Sequence, residues 1–167
     1  KNNVKSFFKN YNKSFNIIIC SSITRSKEDT VKSYTDNIKM INNLSVILNN
    51  SFLNKVIFLS TTDVYKKSSY KINEKSKLGS TTYYGKSKIK SEEILFNKSL
   101  KFKFQLIILR LPGIYGPNDK NKSTIGVLVN NAIKNKNITI NNRGKDKRDY
   151  VYIDDLSYII SKLIKQK

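Results

Sequence analysis

Three short apolar runs constrain this chain more than any other feature: FNIIIC (15–20), KVIFLS (55–60) and FQLIILR (104–110). Each is compact, continuous rather than alternating, and rich in β-branched residues, which predicts a buried strand. Between them the period changes. Val31, Tyr34, Ile38, Ile41, Leu44 and Leu48 recur at spacings of three and four, which predicts a helix over 27–50. A polar loop is expected over 61–80. A second helix is expected over 83–98, with Ser80, Thr81 or Thr82 as its N-cap. The third strand ends at LPGIYGP (111–117), whose Pro and Gly residues predict a loop. Further expectations are a helix over 123–135, strands at 137–140 and 149–153, and a last helix capped by Asp154 and running to about 165.

Strand–helix–strand–helix–strand with continuous apolar strands implies right-handed parallel crossovers, and so an α/β sheet covered on both faces. In such sheets chemistry sits beyond the carboxyl ends of the strands. Here those places are Cys20 to Arg25, Thr61 to Tyr65, and Leu111 to Pro117.

Composition removes several kinds of function. The chain of 167 residues contains no histidine, which excludes a histidine-based triad or a histidine-ligated metal. Its single cysteine, Cys20, cannot build a structural zinc site; it reads as a small buried apolar residue and fits a reducing, cytoplasmic compartment. No apolar run approaches the ~20 residues that cross a bilayer, so no membrane partner is expected. The net charge is +20. Its 28 Lys are spread along the chain beside only 4 Arg, which reads as compositional drift rather than as a nucleic-acid surface. A non-catalytic basic module binding nucleic acid or another polyanion stays open as the alternative function.

Tyr84 stands four residues before Lys88, which places both on one helix face. With 10 Tyr and 28 Lys, about two such pairs arise by chance. Two occur, the other being Tyr158 with Lys162, where Tyr158 is expected in the core of the last helix. Spacing alone therefore says nothing, and context must decide. The second strand ends in STTDVY (60–65), with hydroxyl residues at the strand tip, and the helix of Tyr84 follows. A phenol titrates at ~10, and a nearby ammonium favours its ionised form. Tyr, Lys and a Thr hydroxyl together can move a proton to or from a hydroxyl while hydride leaves or reaches its carbon.

These segments resemble the extended short-chain dehydrogenase/reductases of the NAD-dependent epimerase/dehydratase group, which act on nucleotide sugars. The resemblance runs from about Phe15 to Ile164. It is carried in order by FNIIIC, DNIKMINNL (36–44), FLSTTDVY, YYGKSKIKSEE, LRLPGIYGP and GKDKRDYVYIDDL. It implies a Rossmann-type parallel sheet, the C-terminal half of a dinucleotide-binding fold, with part of a small substrate lobe. Residues 1–112 would form the catalytic half, and 113–167 the start of the substrate lobe and a returning helix. It implies NAD or NADP as cofactor, a nucleotide-sugar substrate and a homodimer as the full-length assembly. Tyr84 would be the acid/base, Lys88 would lower its pKa and bind the nicotinamide ribose, and Thr61 would hold the reacting oxygen. Ser21, Ser22, Asn37, Pro112 and Gly113 would line the cofactor. Asp63 and Arg148 would contact substrate, Arg148 at its phosphates.

The departures from the family pattern are informative. The six glycines, at 79, 85, 113, 116, 126 and 144, form no Gly-rich dinucleotide turn. The chain begins at Lys1, and its only methionine is Met40. The expectation is that the dinucleotide-gripping half lies outside this chain. Gly113 stands where many members carry a substrate-binding Asn. Thr62-Asp63 replaces the Asp–Glu pair of dehydratases, which favours epimerisation or simple reduction.

Overall fold

The structure, a computed structural model, describes residues 8, 11–67, 71–119, 123–145 and 147–166. It divides into two compact units, Lys1–Arg110 and Leu111–Lys167.

In the first unit the three apolar runs form one sheet in the order β1 (Phe15–Ile19), β2 (Leu53–Thr61), β3 (Gln105–Leu111). β1 and β2 are parallel, with Ile17 opposite Val56 and Ile19 opposite Phe58. Val56, Ile57 and Phe58 are all buried although they point alternately to opposite faces, so β2 is covered on both sides. Ile19, Val56 and Phe58 join Ile41, Leu48, Leu95 and Phe104 in the core.

Two helical segments occupy the region expected as one helix over 27–50. Helix α1 (Val31–Asn43) begins at Thr30, whose side chain accepts from the Ser33 amide in a reciprocal capping box. Helix α2 (Ser45–Leu48) is a separate single turn. The cap explains the later start, since Thr30 holds extended backbone and cannot continue a helix from 27. The buried face of α1 also differs from the apolar stripe: it is Ser33, Asn37 and Ile41, while Val31 is exposed. Helix α3 (Tyr83–Phe102) has Thr82 as N-cap, its hydroxyl accepting from the Gly85 amide. It runs past the expected end at 98 and closes at Lys103 in a left-handed conformation. Its buried Ser87 accepts from Asn37 across the α1–α3 seam at 3.1 Å, so small polar residues build this contact.

The loop expected over 61–80 contains a 3-10 turn, Thr62–Val64, and is pinched by an antiparallel bridge between Tyr65 and Leu78. Positions 68–70 lie outside the described residues.

In the second unit LPGIYGP is not all loop. Gly113–Tyr115 forms β4, parallel to β5 (Tyr150–Tyr152). Between them, α4 spans Thr124–Ile133 with Ser123 as its N-cap. The strand expected at 137–140 does not form, and those residues are exposed without regular structure. Only Thr139 separates Ile138 from Ile140 there, and neither pairs with a strand among the described residues. The last helix, α5 (Ile153–Lys165), begins at Tyr152 with no side-chain cap, so Asp154 lies in the first turn instead of capping it. Tyr158 is 61% exposed and not part of a core.

Candidate active site

The site forms where β2 ends against the first turns of α3. Gly85 permits the approach. A Cβ there would lie 2.0 Å from Ser80 Oγ and 2.5 Å from the Asp63 carbonyl, so only glycine lets the helix sit on the turn after β2. The Thr82 cap sets the helix start, and Tyr84 and Lys88 follow on one face.

Lys88 is buried, and its ammonium donates to the Leu59 carbonyl at 2.7 Å. The same nitrogen lies 4.6 Å from the Phe58 ring centre and 5.8 Å from that of Tyr84. Helix and strand are thus joined two residues before Thr61. Thr61 ends β2, and its hydroxyl accepts from the Asp63 amide at 3.2 Å, capping the 3-10 turn. Asp63 pairs with Arg25 at 4.0 Å, near the surface.

The electrostatics differ from the expectation that Lys88 lowers the Tyr84 pKa. Burial, and then the Asp63 carboxylate, push the phenol up to about 12. Burial pulls Lys88 down to about 8, against the opposing influence of Cys20 and Glu92. Desolvation is the largest cause of both shifts, so both groups move towards their neutral forms.

The remaining expected residues fall in different settings. Ser21 is exposed and Ser22 half-buried beyond β1. Cys20, expected to be buried, is exposed there because β1 ends one residue earlier and the chain leaves the sheet. Asn37 is buried with its carboxamide fully engaged. It accepts from the Ile23 amide at 2.7 Å and donates to the Ile23 carbonyl and to Ser87. It therefore fixes the loop after β1 on α1. Pro112 and Gly113 lie in the second unit, where a Cβ at 113 would meet the Tyr150 ring at 2.8 Å. Tyr150 occupies the space that a side chain at 113 would need. Arg148 is exposed just before β5.

Other residues complete the site's frame: Asp29 lies outside the motif segments, while Ser87, Glu92 and Arg110 lie within YYGKSKIKSEE and LRLPGIYGP without an assigned role. Asp29 accepts the Tyr84 amide at 2.8 Å, and Ser87 donates to the Tyr84 carbonyl at 2.7 Å. Glu92 and Arg110 form a salt bridge of 2.7 Å. Glu92 stands four residues after Lys88 on the same face, as the last position of the motif that begins at Tyr84.

A family model of the NAD dependent epimerase/dehydratase family matches residues 1–167. The chain belongs to this family. Among curated relatives, a dTDP-D-glucose 4,6-dehydratase of Dictyostelium discoideum is 32% identical over 146 residues, covering 80% of this chain and 34% of the relative. Among solved structures, a UDP-glucuronic acid 4-epimerase from Bacillus cereus, in complex with UDP-glucuronic acid and NAD, matches 98% of this chain and 52% of its own. Its TM-score is 0.83, at 22% identity. A UDP-N-acetylglucosamine 4-epimerase from Bacillus cereus matches with a TM-score of 0.84 at 23% identity, over 98% of this chain and 56% of its own. These likenesses establish a Rossmann-type α/β fold. The chain spans about a third to a half of the length of the curated relatives it matches.

Proposed function

We propose that this chain carries the proton-transfer part of an NAD(P)-dependent nucleotide-sugar epimerase or oxidoreductase. The observation that carries the reading is the bond from Lys88 to the Leu59 carbonyl, which brings the Tyr84 face of α3 to the strand end bearing Thr61. Three groups suited to proton transfer at a sugar hydroxyl then share one sheet edge. Their types fit the nicotinamide-ribose end of the cofactor: an ammonium and a phenol one helical turn apart, with the Ser22 hydroxyl beyond β1. No glycine spacing in the chain suits the pyrophosphate. Bound there, oxidised nicotinamide would take hydride from the sugar carbon and add a positive charge beside the phenol.

In this reading Thr61 donates to the reacting oxygen and Tyr84 exchanges a proton with it. Lys88 holds the ribose hydroxyls and, with the cofactor's charge, offsets the burial that holds the phenol neutral. Ser21, Ser22, Pro112 and Gly113 contact the cofactor, Asn37 acts by holding the loop after β1, and Asp63 and Arg148 contact substrate. Residues 1–112 serve as the catalytic half and 113–167 as the start of the substrate lobe.

The test uses the complete gene product with NAD or NADP and a panel of UDP- and dTDP-hexoses, with chromatography resolving the products. Cofactor-dependent formation of an epimer, or of an oxidised or reduced sugar, is the expected result. No conversion across the panel, together with tight salt-sensitive binding of nucleic acid, would replace this reading with that of a basic binding module.

A further inference from the structure

The proton-transfer groups leave one buried charge cluster unexplained. Glu92 is 5% exposed, and a carboxylate so buried needs several partners. It has them from two strands. The Ser60 hydroxyl donates to Oε1. Arg110 donates from Nε to both oxygens at 3.2 Å, and from Nη2 to Oε2 at 2.7 Å. Arg110 reaches further with Nη1, to the Tyr65 hydroxyl at 3.1 Å and the Glu74 carbonyl at 3.2 Å. Its guanidinium lies 5.1 Å from the Tyr65 ring centre.

The sequence positions give this cluster its meaning. Ser60 directly precedes Thr61 on β2. Glu92 lies one turn beyond Lys88 and two beyond Tyr84 on α3. Tyr65 and Glu74 belong to the loop pinched by the Tyr65–Leu78 bridge. We infer that Glu92 is a positioning residue of the site: its carboxylate fixes the strand end carrying Thr61 against the helix carrying Tyr84 and Lys88, and through Arg110 it holds Tyr65 and Glu74. This rests on the roles proposed above for those three residues.

Stability alone does not call for such a cluster. A buried ion pair can be replaced by apolar side chains of similar size with little or no loss of stability. What apolar contacts lack is direction. The fork of Arg110 and the Ser60 hydrogen bond set the helix and the strand end in one register, and misplacement by about 1 Å can cost 10²-fold in rate.

The complete gene product and its sugar-nucleotide turnover provide the test. Glu92→Gln is expected to lower kcat about 10²-fold, with a smaller change in KM. The double variant Glu92→Met with Arg110→Met is expected to regain the wild-type melting temperature while kcat stays low. Return of kcat along with stability would overturn the positioning role. Should the double variant fail to fold, Ser60→Ala serves instead, since it leaves the ion pair intact. Reduced kcat at unchanged melting temperature supports the role, and unchanged kcat overturns it. A wild-type protein without cofactor-dependent turnover would overturn the underlying reading itself, and the wild-type arm reports that separately.

Discussion

The Asp29 carboxylate accepts the amide of Tyr84 at 2.8 Å, joining residues 55 positions apart. The amide belongs to the first turn of α3 and has no partner within the helix. An anion there also complements the helix dipole. Asp29→Ala is expected to destabilise the fold by about 1–2 kcal/mol. Asp29→Asn keeps an acceptor and should lose less. Urea denaturation of the three proteins checks this, and equal midpoints would show that the tether contributes nothing.

Gly85 should reverse an ordinary rule. Replacing a helical glycine with alanine normally gains about 1 kcal/mol. Here the added methyl meets Ser80 Oγ and the backbone oxygen of Asp63 at distances no pair of atoms tolerates. Ser80 can rotate, but the carbonyl cannot move without displacing the turn after β2. Gly85→Ala is therefore expected to destabilise by about 1–3 kcal/mol. A melting temperature at or above that of the wild type would contradict this close approach.

How much of this was legible follows from which signals are local. The three strands are compact apolar runs, and all three form. A cap among Ser80, Thr81 and Thr82, and Tyr84 with Lys88 on one face, also follow from neighbouring residues, and Thr82 takes the cap. The α1 seam was not legible, because its buried side is Ser33 and Asn37 and the partner, Ser87, lies 50 positions away. Asp29 was hidden for the same reason. The strand expected at 137–140 failed because a short apolar alternation makes a strand only where a neighbour pairs with it. The rise in the Tyr84 pKa was not legible, because its causes, burial and then the Asp63 carboxylate, depend on the folded chain.

Titration gives a third check. Burial lowers Lys88 from its ordinary 10.5 to about 8. Between those values the unfolded lysine holds a proton that the folded one has released, so stability from this group rises with pH through that window. Tyr84 acts oppositely. Its folded phenol keeps a proton from about 10 to about 12 that the unfolded one gives up, so its contribution falls there. Wild-type stability should therefore rise relative to Lys88→Met from pH 8 to pH 10.5. Denaturant midpoints measured across this range test it, and parallel curves would mean that Lys88 is not held in its lowered state.

The central claim is that Tyr84 moves the proton, and Tyr84→Phe in the complete gene product tests it most directly. The variant removes one oxygen from a half-buried ring and leaves Lys88 on the Leu59 carbonyl. Turnover of a UDP- or dTDP-sugar should fall by about 10²–10⁴-fold, with the melting temperature and cofactor affinity close to those of the wild type. Turnover within a few-fold of the wild type would contradict the account.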